Sequence, residues 1–513
     1  MDASPTQVKV VFTTDEQDLQ LPESKRQLLV PAGPYKIWIS LPLSKAFLST
    51  LRRVVFFSLL CFKRLTLKIN RSPDIKRYGL SRILNSESML DTSSPVPLDF
   101  LVNGTFLRTS IQDYLQSNGL SSETALTLQY VRSLIPPVYQ ASFQHDDWVS
   151  SVDVLSATAP AGKRADGLIN DRVASASYDG LVRVWNPSGD IIATTTAGRA
   201  GGHTARVNAV RWLSPNKVAS AGLDRKVIVW DYTEAEDGFS GSLKHSMELW
   251  GHEKNINAID VNCGTKRILT ASSDGRVGLW SSSKRAAPQA DPESLPTAHS
   301  TKRAKLSAAA TTAQRGPLAM IPMHDSQVTA AIFHPHDATV AYSASHDHTV
   351  KTIDLTTQRE VSRLTTMHPI LCAAALNNSL IAAGSSARHI TLLDPRESAT
   401  STAAMTLRGH VNMVVSLSAS PENDYSLVSG SHDSTCRVWD LRSTRQATSD
   451  ETTGVVCEPV YTIGREWLNG KKLPTAGDGA KVLSVVWDKS WGIVSAGEDK
   501  KVQINRGRGL LAS

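Results

Sequence analysis

The sequence contains few cysteines, and their spacing excludes two kinds of structural site. Only five occur in 513 residues, and no two of them have the CxxC spacing of zinc ligands. An odd number of scattered cysteines also gives no disulfide framework of the kind that holds small secreted domains together. We therefore expect a reducing compartment and no structural zinc. The cysteines are Cys61, Cys263, Cys372, Cys436 and Cys457.

We expect neither a secretory leader nor a membrane-spanning apolar run from this sequence. Met1 to Lys9 is polar, with no charged segment that leads into an apolar core. The most apolar stretch, Trp38 to Phe62, is interrupted by Lys45, Arg52 and Arg53. These charges leave no run near the roughly 20 apolar residues that a transmembrane helix needs. We expect neither secretion nor a membrane span.

The composition is that of a globular protein with a small basic excess. Hydrophobic residues make up 41% of the chain and charged residues 20%, and 513 residues are too many for one ordinary core. Two or more domains are therefore expected. The formal net charge of +7 and the pI near 9.1 suit a nucleic-acid-rich compartment such as the nucleus, but they do not by themselves indicate RNA contact.

A repeat with a period of about 40 to 45 residues organises most of the chain. In each clear copy an apolar strand leads to a turn with Asp, and a second apolar strand ends at Trp six residues later. The four clear Asp/Trp pairs are Asp179/Trp185, Asp224/Trp230, Asp274/Trp280 and Asp433/Trp439. In the three weaker copies the same positions hold Asp347/Ile353, Ala387/Leu393 and Asp499/Asn505. Seven such copies predict a mainly β fold with a seven-bladed WD40 β-propeller.

A histidine loop precedes the turn in six of the copies. The histidines are His145, His203, His252, His324, His368 and His410, and the seventh copy has none. In the second, third and sixth copies His and Asp are 21, 22 and 23 residues apart, which leaves room for two strands and a turn. We do not expect the short tail after Asn505 to supply an outer strand for the last blade. Val138 to Gln144 is placed to supply it and so to remove an exposed sheet edge.

The His, Ser/Thr and Asp residues of these copies resemble a Ser-His-Asp catalytic set. The same set recurs three times, however, whereas a catalytic site is normally built once. We therefore predict a structural hydrogen-bond network, no catalytic residues, no cofactor and no enzymatic activity, since such buried polar groups are costly when unpaired. The predicted network comprises His203, Ser220, Asp224, Trp230, His252, Thr270, Asp274, Trp280, His410, Ser429, Asp433 and Trp439.

Two insertions interrupt the repeats. Residues 281–322 are rich in Ala, Ser, Pro and Lys/Arg without strand periodicity, which predicts a disordered loop. Its two basic clusters, Lys284-Arg285 and Lys302 to Lys305, fit either a nuclear localisation signal or a solvated charged loop. Residues 442–481 are predicted to form a second exposed insertion.

The amino-terminal pattern predicts a ubiquitin-like β-grasp domain. It places strands on either side of one principal helix and an Asn103-Gly104 turn between two of the strands. The strands are expected within 7–14, 26–32, 97–109 and 125–132, and the helix within 75–84. The expected domains are therefore 7–133 and, for the propeller, 138–513.

Several amino-terminal stretches resemble the Ytm-type ribosome biogenesis factors, the WD-repeat subunit of the PeBoW complex. These stretches are KRYGLSRILN (76–85), PLDFLVNGTFLRTSIQDYL (97–115), GLSSE (119–123), ALTLQYVR (125–132) and HDDWVSSV (145–152). One departure from the family pattern is the basic and apolar segment 33–73, which we interpret as an extra loop or a retained intron. Absence of this segment from the mature transcript would support the intron interpretation.

The resemblance implies a scaffold with no chemistry of its own. Its propeller is expected to bind the propeller of an Erb/block-of-proliferation protein, which in turn binds a pescadillo/Nop-type protein on pre-60S particles in the nucleolus and nucleoplasm. Loss of the protein is expected to impair maturation of 27S precursor RNA to 25S and 5.8S rRNA. The midasin AAA ATPase is expected to hold the ubiquitin-like domain and to remove the factor from the particle. The family's key acid maps to Glu123, which would complete the shell of a Mg²⁺ ion held by midasin.

Two alternatives remain open at this point. A Notchless-type factor also joins a ubiquitin-like domain to WD40 repeats and binds midasin, but it carries eight blades rather than seven. A WD40 substrate receptor of a ubiquitin ligase would need a ligase-docking segment, and no F-box-like helical region is apparent in the sequence.

Overall fold

The computed structural model divides the chain into two compact units, Met1–Leu134 and Ile135–Ser513. Each unit has its own hydrophobic core. The residues it describes are 7–31, 76–86, 88–90, 95–121, 123, 125–164, 169–196, 198, 201–295, 313–396, 405–447, 454–468 and 479–507. The segment 33–73 and the basic cluster Lys302 to Lys305 lie outside them. Within this described part, no helix is both long and apolar enough to cross a membrane.

The amino-terminal unit contains a five-stranded sheet in the order β2-β1-β5-β3-β4. Strands β1 and β2 form an antiparallel hairpin, β5 runs parallel to β1, and β3 is antiparallel to β5. This arrangement confirms the predicted ubiquitin-like β-grasp. The strands are β1 Gln7–Thr13, β2 Gln27–Pro31, β3 Leu98–Val102, β4 Thr105–Phe106 and β5 Leu126–Arg132, with 3₁₀ turns at Gln17–Leu19 and Glu23–Lys25.

Two α-helices occur in the described part of this unit, α1 Arg77–Leu84 and α2 Ile111–Ser117. Helix α1 buries Leu80 and Leu84, which are one turn apart on the same face. Helix α2 begins at Ser110, whose Oγ accepts a hydrogen bond from the Asp113 N–H at 3.2 Å. The prediction of one principal helix therefore missed α2, because its two turns give too short an apolar pattern.

The second unit begins with β6, Pro137–Gln144, and continues as seven four-stranded blades in the described residues. Blade 1 has β7 Val149–Leu155, β8 Arg172–Ser177, β9 Val182–Trp185 and β10 Ile191–Thr194. Blade 2 has β11 Val207–Ser214, β12 Lys217–Gly222, β13 Val227–Glu234 and β14 Gly241–Leu249. Blade 3 has β15 Ile256–Asn262, β16 Arg267–Ser272, β17 Arg276–Ser281 and β19 Ala319–Pro322, and β18 Ala313–Arg315 adds to blade 2.

The remaining blades follow the same order. Blade 4 has β20 Val328–Phe333, β21 Val340–Ser345, β22 Thr349–Asp354 and β23 Arg359–Thr365. Blade 5 has β24 Ile370–Ala375, β25 Ile381–Ser385, β26 His389–Leu393 and β27 Met405–Arg408. Blade 6 has β28 Val414–Ala419, β29 Ser426–Ser431, β30 Thr435–Gln446 and β31 Val455–Gly464. Blade 7 has β32 Val482–Asp488, β33 Gly492–Gly497 and β34 Lys501–Gly507, and β6 completes it.

The ring is closed by chain segments from both ends of this unit. The first strands of successive blades pack against one another around the whole cycle, from β7 through β32 and back to β7. Strand β6 pairs antiparallel with β34, and Phe143 lies opposite Val502. The expectation that Val138 to Gln144 supplies the outer strand of the last blade is therefore confirmed.

Both predicted insertions contain blade strands, which corrects the loop interpretation of 281–322 and 442–481. Strand β19 is the outer strand of blade 3 and pairs with β17. Strand β30 continues to Gln446, and β31 is the outer strand of blade 6. The sequence pattern did not indicate these strands; β19, for example, is only four residues long and follows an Ala- and Ser-rich stretch. A blade's outer strand has one packed face and needs little apolar alternation to pair.

Candidate functional site

The side chains of the predicted network meet in blades 2, 3 and 6. In blade 6, His410 Nε2 lies 2.6 Å from Ser429 Oγ, and its Nδ1 lies 2.8 Å from Asp433 Oδ2. The Trp439 indole N–H donates to the same Ser429 Oγ at 2.8 Å. Blades 2 and 3 repeat these contacts at 2.7 to 3.0 Å with His203, Ser220, Asp224 and Trp230, and with His252, Thr270, Asp274 and Trp280.

The hydrogen bonds of this network run in one direction. The indole can only donate, so Ser429 Oγ accepts a hydrogen bond from Trp439. The single N–H of a neutral His410 ring faces the Asp433 carboxylate, so Nε2 accepts a hydrogen bond from the Ser429 hydroxyl. The other ring nitrogen, Nδ1–H, then donates to Asp433. Burial lowers the pKa of His410, which keeps the imidazole neutral. Burial alone would raise the pKa of Asp433, but hydrogen bonds from His410, Thr435 and Val411 outweigh it and lower that pKa.

This geometry is unsuited to nucleophilic catalysis. The hydroxyls of Ser220, Thr270 and Ser429 belong to residues with no exposed surface. Each oxygen also accepts the indole N–H, so it is held between two neighbours rather than presented to a substrate. What the arrangement can do is tie the loop before a blade to the second and third strands of that blade.

Blades 1 and 4 contain partial versions of the network. In blade 1, His145 and Trp185 both bond Ser175 Oγ at 2.8 Å, but Asp179 pairs with Arg183 instead of the histidine. Burial, with the Arg183 charge as a second cause, lowers the pKa of His145 to about 4. In blade 4, His324 contacts Ser343 and Asp347 at 2.7 and 2.8 Å, and buried Ile353 occupies the tryptophan position.

Blade 7 contains an arginine where blades 1, 2, 3, 4 and 6 have histidine. Arg465 donates from Nε and Nη2 to Asp499 at 2.8 and 2.6 Å, and from Nη1 to Ser495 Oγ at 2.7 Å. Arg465 follows Gly464 at the end of β31, much as His410 follows Gly409 just after β27. The sequence signal was this glycine-cation pair, but Arg465 lies 34 residues before Asp499, outside the 21-to-23-residue window.

Blade 5 has no such network among its described residues, and His368 is not equivalent to the other histidines. Each network histidine lies four residues before the first inner-strand residue, as His410 precedes Val414. In blade 5 that place belongs to Thr366, while His368 is exposed and contacts the ring of His389. The expectation that His368 belongs to the repeat pattern was wrong. The other network positions hold Ala383, Ala387 and Leu393.

Glu123 lies in the connection between α2 and β5 and is exposed. Its backbone N–H donates to Ser121 Oγ at 3.3 Å. In the described part of the chain no group of three or more His, Cys, Asp or Glu side chains is arranged to hold a metal ion.

The basic cluster of the first insertion lies partly within the described residues. Lys284 and Arg285 are exposed in a turn that follows β17. This exposure is compatible with both interpretations of the cluster, a localisation signal or a solvated loop.

Comparison with known proteins finds relatives along the whole chain. An NLE (NUC135) domain model matches residues 68–115. The WD domain, G-beta repeat, model matches 138–186, 188–231, 241–281, 315–354 and 401–440. These ranges leave out β24–β26 and β32–β34, which belong to the two blades without a network histidine.

Full-length relatives have high identity to the chain. The Ribosome biogenesis protein YTM1 of Chaetomium thermophilum is 57% identical over 526 residues, covering 99% of this chain and 97% of the relative. The protein of the same name in Chaetomium globosum is 56% identical and covers 100% and 99%. Ribosome biogenesis protein ytm1 of Neurospora crassa is 56% identical and covers 99% of each chain.

Proposed function

Because the chain belongs to the YTM1 family of ribosome biogenesis proteins, we propose that it acts as a non-enzymatic scaffold in assembly of the 60S ribosomal subunit. In this role it forms a complex with an Erb/block-of-proliferation protein and a pescadillo/Nop-type protein on pre-60S particles. The complex is needed for maturation of 27S pre-rRNA to 25S and 5.8S rRNA in the nucleolus and nucleoplasm. The observation that carries the proposal is 57% identity over 99% of the chain.

The geometry of the repeated polar sets supports a scaffold role. Their hydroxyls are fully buried and already hydrogen-bonded, so they are placed to stabilise the blades and not to react with a substrate. A closed propeller offers a rigid surface of loops on which several proteins can be held at once. Seven blades in the described residues also separate this chain from a Notchless-type factor with eight.

Glu123 is the proposed point at which force is applied. The midasin AAA ATPase would hold the ubiquitin-like domain through a Mg²⁺ ion of its adhesion site, with the Glu123 carboxylate as a ligand from outside. An exposed carboxylate on a connection between α2 and β5 is free to approach such an ion. Mg²⁺ prefers hard oxygen ligands, so a carboxylate suits it better than an amide or an amine.

The proposal is tested by affinity capture of the tagged full-length chain from cells. Wild type is compared with Glu123→Gln, which keeps the shape and removes the charge, and with Glu23→Gln, which neutralises another exposed acid of the same unit. We expect wild type and Glu23→Gln to recover the Erb-type, pescadillo-type and midasin-type proteins. Glu123→Gln should lose only midasin. Recovery of no pre-60S factor by wild type would overturn the scaffold role, and equal midasin recovery by all three would overturn the role of Glu123.

A further inference from the structure

A short hairpin on blade 2 presents an exposed phenylalanine beside two carboxylates. It connects β13 to β14, and we call residues Ala235 to Ser240 the acidic tip. Phe239 is 71% exposed, although phenylalanine is usually buried. Glu236 and Asp237 are also exposed. The tip therefore carries an aromatic ring and two negative charges on adjacent residues.

The backbone of the acidic tip is held in one conformation by its own hydrogen bonds. The Ala235 N–H donates to the Ser240 carbonyl at 2.9 Å, and the Gly238 N–H donates to the Ala235 carbonyl at 3.0 Å. Asp237 Oδ1 accepts from the N–H groups of Phe239 and Ser240 at 3.0 and 3.2 Å. Gly238 has φ +69°, which a residue with a side chain rarely adopts.

A buried arginine of blade 1 fastens this tip to the neighbouring blade. Arg172, whose side chain is 6% exposed, donates to the Gly238 carbonyl at 3.1 Å and pairs with Glu234. Glu234 also accepts from Tyr232 Oη and Asn170 Nδ2 at 2.9 Å each. The backbone that carries Phe239 is therefore already ordered in the folded propeller, before a partner binds. A preordered contact loses less entropy on binding than a flexible one.

We propose that the acidic tip docks into an apolar pocket rimmed by Lys or Arg on the surface of another protein. A rigid aromatic side chain is the type of residue that dominates binding energy when a partner buries it. Within the described residues, neither Glu236 nor Asp237 has an ion-pair partner, so both can pair with cations of the partner. The same two charges repel phosphates and argue against RNA as the occupant. This contact goes beyond the proposed function, which assigns no part of the propeller surface.

The test replaces Phe239 with the photo-crosslinking residue p-benzoylphenylalanine in the full-length chain and irradiates the cells. The matched control places the same residue at Met367, which is 73% exposed and has no acidic neighbour in sequence. We expect an adduct specific to position 239, on a protein peptide that contains Lys or Arg. In a chain that also carries Glu236→Lys, the yield of this adduct should fall about tenfold or more.

An adduct on RNA, on a peptide without basic residues, or at a yield equal to that of position 367 would overturn the proposal. So would an adduct that Glu236→Lys leaves unchanged. Phe239→Ala should weaken binding of the partner protein identified by crosslinking by about tenfold or more. The melting temperature of this variant should equal that of wild type. Co-purification of pre-60S factors with wild type is scored separately, so failure of the scaffold role and failure of this docking site give different results.

Discussion

At the scale of single residues, the four-residue network of blades 2, 3 and 6 uses a loop histidine to join a strand hydroxyl to the carboxylate of the turn. We predict that His410→Ala destabilises the propeller by about 2–3 kcal/mol, because Ser429 and Asp433 lose a buried partner. The matched control is His368→Ala, which should change stability by less than about 0.5 kcal/mol because His368 is exposed. Chemical denaturation of the two variants measures this difference. Equal losses would show that the network is not what stabilises blade 6.

The network gives a structural role to residues whose pattern resembles a catalytic set. Sequence spacing predicted the sets in blades 2, 3 and 6, since each has histidine, hydroxyl, aspartate and tryptophan at fixed separations. It misplaced His368 and missed Arg465, because spacing in sequence does not show which loop residue lies four positions before an inner strand. Arg465 is separated from β32 by an insertion, so only the paired strands reveal its equivalence to histidine.

Asp153 on strand β7 makes a pH-dependent contribution. Burial raises its pKa to about 6, although the Arg211 charge and the Trp212 N–H bond act in the opposite direction. The folded state therefore binds more protons than the unfolded chain between pH 3.8 and about 6, so the group's contribution to stability falls as pH rises through that window. Asp153→Asn keeps an oxygen acceptor for Trp212 and removes the charge.

We predict that Asp153→Asn stabilises the protein by about 1–2 kcal/mol at pH 7.5 and by nothing near pH 3.5. The expected gain in stability is no larger because the Asp153 side chain is only half-buried and is still partly solvated. Denaturation midpoints measured from pH 3.5 to 7.5 check it, with Asp231→Asn, whose side chain is 43% exposed, as the control. A loss of stability at pH 7.5 would show that attraction between the Asp153 and Arg211 charges outweighs the cost of burial.

At the scale of elements, the guanidinium of Arg465 stabilises the last blade as histidine stabilises blades 2, 3 and 6. It donates to Asp499, to Ser495 and to the Lys501 carbonyl, and its side chain is 1% exposed. We predict that Arg465→Lys destabilises the propeller by about 2–4 kcal/mol, since one ammonium cannot reproduce a planar fork of donors. Arg396→Lys is the control, because Arg396 also pairs with an aspartate but is 69% exposed. Comparable melting temperatures for the two variants would contradict this role.

Strands that are buried on both faces were predicted from the sequence, and weakly patterned outer strands were not. The second and third strands of the blades are apolar on both faces, so their sequence copies are recognisable, as in β12 and β13. The outer strands β19 and β31 pack on one face and arise within stretches whose composition resembles a loop. Closure by β6 could be predicted because a ring with a missing strand leaves few segments able to complete it.

At the scale of the whole molecule, two separate hydrophobic cores indicate two units that fold independently. The amino-terminal core contains residues from Val8 to Tyr130, and the blade cores begin at Phe143. The resemblance to a family with a ubiquitin-like domain and a propeller predicts the same two-part organisation from the sequence. Under the proposed function, these parts divide the work: the propeller holds partners and the amino-terminal unit receives force.

That division predicts the behaviour of the fragment 135–513, which begins at the boundary between the two units. We expect it to melt at the same temperature as the propeller transition of the full chain, because the described blade cores, from Ala141 onward, lie entirely within the fragment. In cells it should still recover the Erb-type and pescadillo-type proteins, but it should accumulate on pre-60S particles because midasin has no domain to hold. Full-length Glu123→Gln should accumulate in the same way, which joins the two experiments. Normal release of the fragment would mean that removal acts through the propeller, and Glu123 would then have no part in it.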